Sequence, residues 1–343
     1  CSFLGFTKKS FGFLVSRKSP IFADLNKSSE KSKNTEIKKI LVVQLWGIGE
    51  TILTLPAIEA LRNKFPKAEI VVLSTSRNKD VFLKNEDINK IIEIKLNLFS
   101  VLSFILKNIK KYDLIIDMEE YLNISAIMSF FAGRRIIGYS HNSRAKLYTQ
   151  KVKYNDKQHA VQTFLDLVRA LNVNYSIEKL PKLSFSKADK NFVDRFLKNN
   201  DVKNSDFVVC VAPGAAESAK ARMWPYDRYA ELCDEIISKY NAKIVFTGIP
   251  EENDLIKSLQ DKMENKDKTI NAAGQINLNQ LFYIMTKCKL FVGNDAGPMH
   301  IAAAQGIKTL GLFGPNLPVR FGPYGKGNIG LYKGYNCQFS PCI

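Results

Sequence analysis

The chain of 343 residues has three histidines, two tryptophans and no long uninterrupted apolar run. Its longest apolar stretches, "LNLFSVLSFIL" (96–106) and "YLNISAIMSFFAG" (121–133), fall short of the roughly 18 residues that a bilayer-spanning helix needs. The expectation is a soluble, cytoplasmic protein, or one that rests on a membrane without spanning it. Six cysteines in a chain this long do not make a disulfide scaffold. Cys210, Cys233 and Cys288 lie in apolar or helical surroundings and read as buried thiols of a reducing compartment. Cys337 and Cys342 form a C-x4-C pair with no histidine nearby, so a metal site is not expected there. There is no G-x-x-x-x-G-K-[ST] stretch, no Cys/His zinc-finger spacing and no aromatic-rich RNP-like strand, which disfavours a P-loop NTPase and a nucleic-acid-binding protein.

Acidic residues are also few relative to basic ones: 33 against 50, a formal net charge of +17. That balance favours anionic partners, such as phosphorylated metabolites or an anionic membrane surface. The lysines are spread along the chain, and most are solvated on helix faces. An apolar content of 45% over this length is enough for two domains.

Residues 1–36 mix Phe-rich patches with Lys8, Lys9 and Arg17 and end in a Lys/Ser/Asn/Glu run, the composition of a basic, flexible extension. From Ile37 the pattern is regular. "IKKILVVQLW", "AEIVVLS" and "KYDLIIDM" are short β-branched runs that read as strands, with helical apolar spacing between them. A second series follows: strand "DFVVCVAPGA", helix "PYDRYAELCDEIISKY", strand "AKIVFTG", helix "LNQLFYIMTKC", strand "KLFVGNDAG", helix "PMHIAAAQ" and strand "KTLGLFGP". Such alternation predicts parallel sheets covered on both faces. The expected architecture is α/β, with two doubly wound domains, 37–186 and 187–343, facing a central cleft.

Ligands of doubly wound sheets bind beyond the carboxyl ends of the strands, so the informative loops are those that follow strands: "WGIGET", "APGAAESAKARMWP", "TGIPEEN" and "GNDAGPMH". The first is "WGIGET" (46–51). A dinucleotide fingerprint would need a third glycine and a carboxylate closing the second strand; Ile52 stands at the glycine position and the second strand ends "VVLSTSR". Gly47 and Gly49 instead allow close approach of a substrate to backbone, with Glu50 at or near a helix start. An acidic residue there also suits the helix dipole.

"GNDAGPMHIAAAQG" (293–306) is more specific. Asp295 suits an N-cap, Pro298 the first helical position and Gly306 the stop. Ala296 and Gly297 offer small residues and N–H groups at a positive helix end, which suits a phosphate, and His300, about one turn in, could reach a phosphate or a sugar hydroxyl. "PGAAESAKARMWP" (213–225) contributes Ser218, Lys220 and Arg222, cations suited to a diphosphate leaving group being the last two.

The blocks "ILVVQLWGIGETILTLPAIEALRNKFP", "APGAAESAKARMWPYDRYAEL" and "GNDAGPMHIAAAQGIKTLGLFGPNLPVRFGPYG" resemble the signature regions of the ADP-heptose:lipopolysaccharide heptosyltransferases, glycosyltransferase family nine. The resemblance covers roughly residues 38–335 and implies a GT-B fold, two Rossmann-like domains with the acceptor on the first and the nucleotide sugar on the second. It also implies an inverting transfer of heptose from ADP-heptose to an anionic lipopolysaccharide-type glycolipid, with no cofactor and no metal. Glu50 would be the general base; Lys220, Arg222, Asp295, Ala296, Gly297 and His300 would bind the donor; peripheral contact with the inner membrane would follow from the acceptor. Two positions depart from the family pattern. Gly49-Glu50 stands where Gly-Asp is usual, and Arg222 where lysine is common; both keep the charge. The alternatives are a nucleotide-sugar-binding protein without turnover and, less favoured, a nucleic-acid-binding protein that owes its net charge to phosphate contacts.

Overall fold

A computed structural model describes residues 36–334 together with Cys337 and Gln338. The expected extension of residues 1–36, apart from Glu36, lies outside the described residues, as does Cys342. The chain divides into two compact units. The first takes its described residues from the stretch up to Gly47, Pro56–Asn155 and Val161–Tyr175; the second takes Ile48–Leu55, Asp156–Ala160 and the region from Ser176 onward.

Within the first unit lie strands β1 (Lys39–Val43), β2 (Glu69–Ser74), β3 (Lys90–Glu93), β4 (Tyr112–Asp117), β5 (Gly133–Tyr139) and β6 (Gln150–Val152). They form one parallel sheet in the order β3-β2-β1-β4-β5-β6. The helices in chain order are α1 (Ile48–Lys64), which begins in the segment grouped with the second unit, α2 (Lys79–Phe82), α3 (Leu98–Lys107), α4 (Asn123–Ala132) and α5 (Ala160–Arg169). The central strands are almost wholly buried, as parallel strands covered on both faces must be, and their Ile, Leu and Val runs supply that apolar surface. Helix α1 is apolar on most of its circumference: Ile52, Leu53, Ala57, Ile58, Ala60 and Leu61 are all fully buried. Pro56 inside it removes one backbone hydrogen bond, which this degree of burial outweighs.

The second unit repeats the arrangement with α6 (Lys187–Asn199), β7 (Val208–Ala212), α7 (Tyr226–Tyr240), β8 (Lys243–Phe246), α8 (Asn253–Gln260), β9 (Thr269–Asn271), α9 (Leu278–Lys287), β10 (Leu290–Asn294), α10 (Gly297–Gln305), β11 (Lys308–Phe313), α11 (Pro318–Phe321) and β12 (Ile329–Tyr332). Its sheet order is β12-β11-β10-β7-β8-β9, all parallel. Counted from each unit's first strand, both sheets have the same order, 3-2-1-4-5-6. In that order the winding reverses between the first and fourth strands, and a crevice opens beyond their carboxyl ends. In the first unit this point lies between β1 and β4, where Val43 pairs with Asp117; in the second it lies between β7 and β10, where Ala212 pairs with Gly293.

A buried polar cluster fixes the end of β4. Asp117 Oδ2 accepts from Tyr148 Oη (2.7 Å), Ser125 Oγ (2.9 Å) and Arg144 Nη2 (3.1 Å), and both members of the Asp117–Arg144 pair are fully buried. Burial pushes the Asp117 carboxyl upward, and the Arg144 charge and these hydrogen bonds pull it back. Breaking one half of such a pair costs about 3–5 kcal/mol, because the other charge is left buried alone.

Candidate active site

The turn after β1 is held by the neighbouring strand ends. Leu45 N–H donates to Glu119 Oε1 (2.5 Å), the Asn78 amide donates to Gln44 O (2.9 Å), and Thr75 Oγ1 donates to Leu45 O (3.2 Å). The chain then enters α1 through Gly47, its N-cap residue, so Glu50 sits in the first helical turn, as its place in the sequence suggests. Gly49 is packed against the start of α10: a Cβ built on it would lie 2.8 Å from His300 Cδ2 and 3.8 Å from Gly297 Cα. A side chain at position 49 would meet the imidazole, which is why this turn needs its second glycine.

The loop after β7 is organised by one residue, Asn294, at the end of β10. Its amide N–H2 donates to Pro213 O (2.8 Å) and Gly214 O (3.2 Å), and its carbonyl accepts from Trp224 N–H (2.9 Å) and Tyr229 Oη (2.9 Å). Both ends of the "PGAAESAKARMW" loop are thereby tied across the switch point. The loop's short 3-10 segment, Glu217–Arg222, carries the two cations. Arg222 Nη1 lies 3.5 Å from Asp295 Oδ2 and donates to Asp295 O (3.4 Å). Lys220 is exposed and bonded to Glu217 within its own turn (2.7 Å), so the described contacts join Arg222 to the start of α10 and leave Lys220 at the surface. Ser218 is likewise exposed.

Asp295 is not the helix cap that its sequence position suggests. The N-cap residue is Ala296, no side chain caps α10, and Pro298 is the second helical residue rather than the first. The Asp295 carboxylate is occupied elsewhere: it is buried, it accepts from the Asn316 amide, and it faces Arg222. Burial raises its pKa, while the Asn316 hydrogen bond and the Arg222 charge oppose the rise. The helix start therefore presents Ala296 and Gly297, both only partly buried, to an anion without competition from a side-chain cap. The helix stops at Gly306, whose φ of 81° is the left-handed conformation a glycine tolerates.

His300 is 4% exposed, and its Nδ1 has no hydrogen-bond partner. Burial, with the nearby His159 and Arg222 charges, pushes it down to about 3, so it is a neutral imidazole at any working pH. It can exchange a hydrogen bond with a phosphate or hydroxyl, but the positive charge must come from Arg222. His159, which the sequence patterns do not single out, donates through Nε2 to Gly322 O (2.9 Å) and packs on Tyr324, with ring centroids 4.9 Å apart.

Glu252 is a further candidate: it lies in "TGIPEEN" (247–253), one of the loops that follow strands, although no motif there singles out this residue. Its carboxylate accepts from Ile249 N–H (2.9 Å) and covers two glycines: a Cβ on Gly214 would overlap Oε1, and one on Gly248 would lie 2.5 Å from Oε2. Burial raises its pKa. It follows β8, the second strand of its unit, where doubly wound nucleotide-binding domains carry the carboxylate that holds a ribose.

The family model described as glycosyltransferase family 9 (heptosyltransferase) matches residues 105–342. The chain belongs to glycosyltransferase family 9. A lipooligosaccharide heptosyltransferase 2 of Campylobacter jejuni is 22% identical over 90% of this chain and 90% of its own length. A glycosyltransferase family 9 structure from Veillonella parvula is 25% identical with a TM-score of 0.77, covering 86% of this chain and 85% of that one. An Escherichia coli heptosyltransferase solved with ADP is 18% identical with a TM-score of 0.68, covering 85% and 92%. This family 9 chain is thus a glycosyltransferase of the GT-B class, with two Rossmann-like domains.

Proposed function

We propose that the protein transfers heptose from ADP-heptose, with inversion, to a hydroxyl of a lipopolysaccharide-type glycolipid on the cytoplasmic face of a membrane. The observation that carries this reading is the packing of Gly49 on His300 and Gly297, which sets the Glu50 turn against an uncapped helix start. The acceptor oxygen attacks the anomeric carbon as Glu50 takes its proton, and the bond from that carbon to the diphosphate oxygen breaks with its electron pair leaving on ADP. Arg222 and the backbone N–H groups at Ala296 and Gly297 stabilise the charge that builds on the diphosphate. Lys220 joins them by exchanging Glu217 for a phosphate. Asp295 holds Arg222 in place, His300 orients the donor as a neutral hydrogen-bonding group, and Glu252 accepts from the ribose hydroxyls. The ADP bound to the Escherichia coli heptosyltransferase, and the lipooligosaccharide for which the Campylobacter jejuni relative is named, support the substrate classes.

The test is a thermal-shift panel of ADP, UDP, GDP and CMP with their sugar conjugates, with and without EDTA, followed by turnover with ADP-heptose. A ligand at about 100 times its Kd adds ~2.7 kcal/mol of stability. A shift with ADP species alone, unchanged by EDTA, and a glycolipid product of the opposite anomeric configuration are expected. A shift confined to UDP species would overturn the donor, and retention of configuration would overturn the mechanism.

A further inference from the structure

Helix α3 is apolar on two opposite sides. Val101 and Phe104 are buried in the first unit's core, and Ile105 packs beside them. On the other side Phe99, Leu102 and Leu106 are 84%, 47% and 71% exposed, and Ile109, just beyond the helix end, is 59% exposed. Spacings of three and four residues align these side chains in one stripe. A helix on a globular domain ordinarily turns a polar face to water, and a contiguous exposed apolar stripe marks a surface that something covers.

The charges around the stripe say what that is. Residues 94–111 hold four lysines and no aspartate or glutamate. Lys110 donates to Phe130 O and Gly133 O, whereas Lys107 and Lys111, at the end of the stripe, are exposed and form no ion pair with a described residue. The nearest acids in sequence are engaged: Glu93 pairs with Lys79, and Asp113 accepts from the Lys38 and Lys39 N–H groups. A second copy of the chain is a poor occupant, since residues 94–111 of that copy offer Lys107 and Lys111 no carboxylate to pair with.

We propose that this stripe docks α3 on an anionic lipid surface, with Phe99, Leu102, Leu106 and Ile109 entering the boundary between headgroups and acyl chains while Lys107 and Lys111 meet lipid phosphates. At ten residues the helix lies in the interface and does not span it. The docking deepens the reading of a lipid-anchored acceptor, but its test needs no turnover. Full-length protein is sedimented with vesicles of phosphatidylglycerol and phosphatidylethanolamine, and with vesicles of phosphatidylcholine alone. Binding is expected to the first and not the second, and to weaken with salt. The double variants Phe99→Ser/Leu106→Ser and Lys107→Glu/Lys111→Glu should each weaken it by roughly tenfold or more. In both variants the melting temperature and the ADP-induced shift should match wild type, because every altered side chain is exposed. Wild-type vesicle binding in the Phe99/Leu106 variant would overturn the docking. So would a dimer that this variant dissolves, or vesicle binding that appears only when residues 1–35 are removed. Vesicle binding in a protein that fails to turn over ADP-heptose would leave the docking standing and sink the ADP-heptose reading alone.

Discussion

Gly49 and His300 are in such close contact that one added methyl group would lie 2.8 Å from the imidazole. His300 is buried and has little room to yield. Gly49→Ala should therefore cost about 1–3 kcal/mol through overpacking, and should shift either the ring or the Glu50 turn. A displacement of order 1 Å at a reacting group is enough for a ~100-fold loss. Melting temperature and kcat/KM are expected to fall together; a variant with unchanged kcat/KM would show that the contact is not needed for transfer.

Glu50 lies one residue further along the same helical turn. Glu50→Gln keeps the shape of the side chain and removes its capacity to take a proton. Transfer should drop by about 10²–10⁴-fold while the ADP-induced thermal shift stays at the wild-type value. Glu50→Asp, with one methylene fewer, should keep measurable activity. Full activity in the glutamine variant would remove Glu50 from the mechanism.

The depressed pKa of His300 makes a prediction about stability. With a folded value of about 3 against an unperturbed 6.5, the folded state binds fewer protons than the unfolded state between those pH values. The stability linked to His300 is complete above pH about 6.5 and is lost progressively as the pH falls toward 3, by a few kcal/mol at the limit. Asp295, raised by burial, works in the opposite sense and is present in both proteins compared. His300→Gln should flatten the fall in melting temperature between neutral and acid pH; parallel curves for wild type and variant would show that the imidazole titrates normally in the folded state.

The central strands of both sheets are legible in the sequence because a parallel strand buried on both faces must be a run of Ile, Leu and Val, as "KILVV" and "VVCVA" nearly are. Short edge strands carry no such signal: β6 is three residues, "QKV", with none fully buried. β5 is hidden for another reason, since α4 ends at Ala132 and the strand begins at Gly133, leaving no turn residues to mark the change. In the site, Glu50 and Gly306 can be placed from capping chemistry alone. Asp295 cannot, because a carboxylate before a helix looks like a cap until its partners, Asn316 and Arg222, are known, and both are distant in sequence. The loop that carries Glu252 can be named from the sequence because it follows a strand, but Glu252 itself cannot: what singles it out is Gly214, which lies on a different strand end.

Asn294 shows how much of the site depends on one side chain that touches no reacting atom. It is 1% exposed and satisfies four groups at once: the carbonyls of Pro213 and Gly214, the Trp224 N–H and the Tyr229 hydroxyl. Replacing it with leucine keeps the volume and leaves these groups to find other partners. Each buried polar group left unpaired costs about 1–3 kcal/mol, so a loss of at least ~3 kcal/mol is expected even if the loop relaxes to recover part of it. Relaxation would move the loop that carries Arg222, so the ADP-induced thermal shift should shrink as well. Asn294→Asp separates the two effects: its carboxylate can still accept from Trp224 and Tyr229 but faces the two carbonyls with no hydrogen to donate. That variant should keep the Trp224 end of the loop and lose the Gly214 end, weakening ADP binding less than leucine does; equal losses in the two variants would show that the loop moves as a single body.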